Sequence, residues 1–152
     1  MRYWLFKTEP SAYSIDDLER EGVGQWTGVR NYQARNLLRE ARVGDRVLFY
    51  HSSTAVPAAV GVAEVVRAAY LDPTQFDEKS EYYDPKSTPE NPRWSAVDVR
   101  LRSRFAVPAS LADMRQEQAL ADMSLLVRGQ RLSVQPVTSA QFKRVVAMGK
   151  GG

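Results

Sequence analysis

WTGVRNYQARN, Trp26 to Asn36, holds a bend and a helix start within eleven residues. A tryptophan leads into a Thr-Gly bend. Asn31 then stands where a helix cap belongs, ahead of Ala34, Leu37, Leu38 and Ala41 at helical spacing. That spacing puts Asn31 and Arg35 about one turn apart on one side of the helix. A large π-face, a fixed cation and an amide are thus close together, as a planar hydrogen-bonding ligand such as a nucleobase requires. The same residues also fit a core tryptophan beside an ordinary capped helix.

On either side, strands and short helices mix without regular alternation. RYWLFK (Arg2 to Lys7) reads as an aromatic-rich strand ended by Pro10. Ser14 with Asp17 opens a short helix that Gly22 closes. Val43 to Ser52 is a turn and a strand, joined through Ser53 to Pro57 to an apolar β-branched run over Ala59 to Ala68. Arg93 to Val107 alternates apolar residues with Asp98, Arg100, Arg102 and Arg104, a strand with one charged face. Ser110 with Asp113 opens a short helix, and Ala119 to Val127 is expected to form another. LSVQPV is a last strand, and Thr138 with Gln141 caps a final helix, followed by a frayed end over Gly149 to Gly152. No repeat or linker interrupts the chain, and its length fits one domain over residues 1–152. The expected fold class is α+β, with a bent β-barrel surrounded by short helices.

Between Tyr70 and Pro92 the composition shifts to proline, aspartate and tyrosine, which predicts a long irregular excursion. Tyr70, Phe76, Tyr82 and Tyr83 argue that it packs down. Tyr82 and Tyr83, with Lys86 beside them, are suited to close over a ligand as a movable flap.

Bulk composition excludes several classes. The chain is 43% hydrophobic and 26% charged, ordinary globular material. No apolar run approaches the roughly 18 residues of a membrane span. The start, MRYWLFKTEP, lacks the long apolar core of a signal peptide, so a cytoplasmic location is expected. The absence of cysteine excludes disulfides and thiolate chemistry, and one histidine, His51, cannot make a conventional zinc site. Asp77, Glu78, Glu81 and Asp84 have the oxygen ligands of a hard-metal site but read rather as a solvated loop, and neither a metal nor a cofactor is expected. GVGQWTG (Gly22 to Gly28) has the wrong spacing and flanks for a phosphate loop. A net charge of +3 is compatible with a polyanionic partner.

A series of short blocks gives this frame a family. KTEP (Lys7 to Pro10) resembles the KSEP signature of the EVE domain. SIDDL, WTGVRNYQARN, VLFYHS, GVAEVV, DPTQFD, YYDPKS, PRW and LSVQPV resemble its later blocks, in order, so that the likeness runs from about Arg2 to about Val146. The EVE resemblance implies a PUA-like fold related to the YTH domains that read 6-methyladenine in RNA. It also implies a pocket for a modified base in DNA or RNA.

By position, Trp26 matches the first cage tryptophan of YTH domains and is expected to form the stacking wall. Lys7, Thr8, Asn31 and Ser52 would read base edges, while Arg30 and Arg35 would hold adjacent phosphates or form the rim. Val29, Tyr50, His51, Tyr82 and Trp94 complete the expected ligand-binding set. Burial of one methyl group would shift selectivity by only roughly 1 kcal/mol. Two other functions fit the residues. A small hydrolase would use Lys7 and Glu9, with Thr8, as some PUA-related ASCH proteins resemble. A sensor would bind a free nucleoside and no polymer.

Overall fold

The structure is a computed structural model and describes residues 1–151. Six strands form one mixed sheet: β1 (Tyr3–Thr8), β2 (Val23–Trp26), β3 (Arg46–His51), β4 (Ala58–Leu71), β5 (Ser95–Ser110) and β6 (Val134–Val137). Their order is β2-β5-β4-β3-β1-β6. β1 runs parallel to β3, and the other neighbours are antiparallel. Four helices accompany them: α1 (Ile15–Glu21), α2 (Tyr32–Leu38), α3 (Leu111–Arg115) and α4 (Ser139–Met148).

The expected bent barrel is present in open form, since β2 and β6 are the two edges of the sheet. The bend originates in the long pair β4–β5, whose register shifts four times between Ala59 and Tyr70. Each bulge adds local twist. The result is that β2 curls over the inner face of β1 and β3. There the Trp26 ring lies 5.2 Å from that of Phe6 and 5.5 Å from that of Phe49.

Central strands are apolar on both faces because each face covers its own core. Trp4 and Phe6 of β1 and Val47 and Phe49 of β3 join Ile15, Leu18, Ala34 and Leu38 from α1 and α2. Leu5 and the next residues of β3, Leu48 and Tyr50, face Met114, Leu120, Met123 and Val145. Each fully buried aliphatic side chain contributes about 1.5–3 kcal/mol. Trp4 is anchored at its polar edge too: its Nε1 donates to Asp45 at 2.9 Å.

Helix starts follow local chemistry. Ser14 Oγ accepts from Asp17 N at 3.1 Å while Asp17 accepts from Ser14 N at 2.8 Å, a reciprocal box. Thr138 and Gln141 repeat it at 3.1 and 3.0 Å. Asn31 Oδ1 accepts from Ala34 N at 3.0 Å.

Three expectations are corrected. Ala119 to Val127 is not a helix but two 3-10 turns, Gln118–Leu120 and Ser124–Leu126. The buried residues Leu120, Met123 and Leu125 are separated by three and then two, a pattern that no continuous helical face sustains, and neither turn has a side-chain cap. β2 was not expected; glycines hide a strand defined by its pairing with Val97 to Arg100. The C-terminal glycines are not frayed through Gly151: Gly149 O accepts from Val107 N at 3.2 Å and Gly151 N donates to Met148 O at 3.3 Å. Gly152, the last residue of that expectation, lies outside the described residues. Among the described residues no helix is long and apolar enough to cross a membrane.

Candidate base-binding site

β1 and β3 end side by side because they are parallel, with Lys7 beside Tyr50 and Thr8 beside His51. Ser52 N then donates to Thr8 O at 2.9 Å. β6 runs the other way, and Lys7 N donates to Ser133 O at 2.8 Å, which brings residues 130–133 to the same end. Curling of β2 supplies the remaining wall. Together these ends enclose a cavity of about 710 Å³. That lies within the roughly 300–1,000 Å³ typical of small-ligand clefts.

Of the expected residues, Lys7, Thr8, Trp26, Val29, Ser52 and Tyr82 line this cavity. Trp26 is only 6% exposed, packed by Phe6, Phe49 and, edge-on at 6.1 Å, by Tyr13. It is a core residue with one side on the cavity. Tyr13 and Tyr82 add two more aromatic walls. Tyr82 is seated on Gly28, whose φ of +83° suits glycine and whose missing Cβ would stand 2.7 Å from the Tyr82 ring.

Lys7 is the half-buried cation of the cavity, and burial lowers its pKa. Among the described residues it has no carboxylate within ion-pair distance. Thr8 Oγ1 donates to Tyr13 O at 2.9 Å, and Glu9 is exposed. Lys7, Thr8 and Glu9 all border the cavity, and the bond among them is a long one from Thr8 Oγ1 to the Glu9 backbone O at 3.3 Å; no side chain of the trio bonds the side chain of another.

The other expected residues lie elsewhere. Arg30 has its donors turned inward. Its donors go to Tyr82 O (3.0 and 2.7 Å), Val29 O (3.0 Å), Asp72 (3.0 Å) and Thr74 (3.0 Å). These occupy all five donors of a guanidinium. Asn31 is exposed and spends its amide oxygen on the α2 cap. Arg35 donates to Arg93 O at 2.9 Å and lies over Tyr32, away from the cavity. Trp94 is buried against Tyr32, with ring centroids 4.8 Å apart, and donates to Asp84 at 2.7 Å. That bond comes first among the causes holding Asp84 below the usual carboxylate range. His51 accepts from Ile15 N through Nε2 at 3.1 Å, and burial depresses its pKa. It is a neutral fastener for α1. Tyr50 opens onto a second, adjoining chamber.

The excursion, residues 72–94 in the structure, is pinned from beneath. Asp72 is fully buried and accepts from Gly28 N at 2.9 Å and from Arg30. Gln75, also fully buried, donates to Asp72 O and Trp94 O at 2.8 Å each and accepts from Trp94 N at 3.0 Å.

Sequence reasoning missed Tyr13, Gln25, Glu81, Gln130 and Arg131, all on the cavity wall. Tyr13 stands three residues after the KTEP block, a position that was readable. Gln130 and Arg131 arrive only through the β1–β6 pairing. Among the described residues no cluster of three or more acidic, histidine or cysteine side chains is placed to hold a metal.

Comparison with known proteins agrees with this geometry. The EVE domain model matches residues 2–148. Thymocyte nuclear protein 1 of Danio rerio is 42% identical over 164 residues, covering 95% of this chain and 71% of its own. A crystal structure from Pseudomonas syringae matches with a TM-score of 0.94 at 44% identity, covering 97% of this chain and 99% of that one. Human THYN1 protein, solved in complex with DNA containing 5-methylcytosine, matches with a TM-score of 0.93 at 35% identity, covering 100% of this chain and 99% of that one. The chain belongs to the EVE domain family.

Proposed function

We propose that this protein binds nucleic acid by taking one modified base into the cavity at the ends of β1 and β3. The observation that carries the reading is the meeting of three aromatic rings, Tyr13, Trp26 and Tyr82, with the unpaired ammonium of Lys7 in one cleft. Aromatic stacking is worth about 1–3 kcal/mol per base and is indifferent to base identity. Identity is then read by the polar groups between the rings: Lys7, Thr8, Gln25 and Ser52. The complex of human THYN1 with 5-methylcytosine DNA supports a modified cytosine as the ligand class.

Extruding a base from a duplex costs a few kcal/mol. One cavity offsets little more than that, so an unpaired or weakly paired base is the favoured ligand. RNA carrying the same modification is the second arm of the reading.

The test is a binding screen at fixed salt. It uses matched single- and double-stranded DNA and RNA oligonucleotides carrying cytosine, 5-methylcytosine, further oxidised cytosines, adenine or 6-methyladenine. The reading expects one modified base to bind more tightly than its unmodified parent, in single strands above all. Equal affinity for every member would contradict it. Turnover of a modified nucleoside, lost in Lys7→Ala, would replace it with the hydrolase.

A further inference from the structure

A second chamber of about 560 Å³ adjoins the first and shares Lys7, Ser52, Ser53 and Gln130 with it. Its own walls differ in kind. Leu125, Leu126 and Val127 form an apolar strip, and Arg115 and Arg128 stand with them. Neither arginine has a carboxylate within ion-pair distance among the described residues, although Arg46, Arg100, Arg102 and Arg104 are all so engaged. The floor is Tyr50. Its ring is buried, the residue being 2% exposed, while its hydroxyl is open to the chamber and makes no hydrogen bond within the described protein. It is therefore free to donate to a ligand there. Burial pushes the hydroxyl's pKa up to about 12, so it remains a donor at any physiological pH.

Ser53 marks the ridge between the chambers. Its φ of +53° is the one left-handed non-glycine conformation among the described residues. Such strain persists only where surrounding structure enforces it, and it collects at ligand sites. Here it turns the chain sharply after β3, so that Ser52 and Ser53 border both chambers.

We propose that the second chamber holds the nucleotide adjacent, on the same strand, to the base in the first cavity, an inference that rests on the function proposed above. The phosphate joining the two nucleotides crosses the ridge, where Lys7 serves both chambers and Arg115 and Arg128 supply guanidinium donors. Guanidinium suits phosphate by its charge and its fork of donors. The neighbouring ring lies on the strip from Leu125 to Val127, and the Tyr50 hydroxyl donates to its polar edge or to a phosphate oxygen. The protein therefore reads a dinucleotide step with a minimal ligand of two nucleotides.

The experiment compares three ligands, each with cytosine and with 5-methylcytosine: the nucleoside, the dinucleotide with a neighbour on either side, and a single-stranded octamer. Affinities are measured for the unaltered protein, for Arg115→Gln/Arg128→Gln and for Tyr50→Phe. The dinucleotide should bind roughly tenfold or more tighter than the nucleoside, as a stacked and charge-paired second residue provides. The double arginine variant should lose that gain while keeping its nucleoside affinity. Its octamer salt slope should fall by roughly 0.7 for each phosphate contact removed. Tyr50→Phe should lower dinucleotide affinity with the folding stability unchanged, because the lost hydroxyl has no partner in the protein. Methyl selectivity retained without any gain from a second nucleotide, or a gain that survives both variants, would overturn the inference alone. Loss of methyl selectivity in every ligand would overturn the functional reading and the inference with it.

Discussion

Arg30 and Asp72 are joined at 3.0 Å, and through this pair the bend after Trp26 is tied to the excursion that carries Tyr82. Asp72 is fully buried and also takes the Gly28 amide. Breaking a buried pair by removing one partner costs about 3–5 kcal/mol. Asp72→Ala should destabilise the protein by that order in chemical denaturation and weaken ligand binding through the displaced Tyr82. Arg30→Lys should also weaken binding, since an ammonium cannot meet four acceptors arranged around a planar fork. The salt dependence of binding should be unchanged in the charge-removing variant Arg30→Gln. A shallower slope would show that Arg30 touches phosphate after all.

Trp26 needs two substitutions to separate its roles. Trp26→Ala empties a site walled by Phe6, Phe49 and Tyr13 and should cost about 3–5 kcal/mol in stability. Trp26→Phe keeps most of the packing and should fold well while binding the modified base several-fold more weakly. Full affinity in a folded Trp26→Phe variant would remove this ring from the ligand's surroundings.

How much of this was legible follows from where each residue finds its partners. Ser14, Asn31 and Thr138 cap helices through bonds three residues away, so their roles could be read locally. Val23 to Trp26 could not be read as a strand, because only Val97 to Arg100, far along the chain, make it one. Arg30 looked like a ligand for phosphate beside an aromatic ring. Its acceptors at Asp72, Thr74 and Tyr82 are distant in sequence, and no local pattern announces them. Six of the expected site residues line the cavity because the ends of β1, β2 and β3 converge there, with Tyr82 packed over them. Gln130 and Arg131 were missed for the converse reason, since antiparallel β6 delivers them only once β1 is in place.

His51 makes stability depend on pH in one direction. Its Nε2 accepts from Ile15 N, and burial lowers its pKa from the ordinary 6.5. Between the folded and unfolded pKa values the unfolded chain binds more protons, so stability rises with pH there. The contribution is present above about 6.5 and is lost as pH falls through the lower folded value. Denaturation midpoints should therefore drop on acidification below about 6.5, and His51→Gln should remove that component. An unchanged acid profile in His51→Gln would place the titration elsewhere.

Hydrogen exchange separates a pinned excursion from a moving one. Trp94 N is bonded to Gln75 Oε1 and Asp84 N to Gln75 O, so both amides should be protected before any ligand is added. Protection gained on binding should be confined to the turn from Lys79 to Tyr83, where Tyr82 faces the cavity. A uniform gain from 72 to 94 would mean that the whole segment closes as a flap.

The central claim is that the cavity at the ends of β1 and β3 selects a modified base. Its most direct test is the ratio of dissociation constants for two single-stranded DNA oligonucleotides that differ only in one central cytosine or 5-methylcytosine. One buried methyl is worth about 0.8 kcal/mol, close to fourfold. The account predicts a preference of about fourfold or more for the methylated strand, reduced in Trp26→Phe. A ratio of one, or a preference that Trp26→Phe leaves intact, would contradict it.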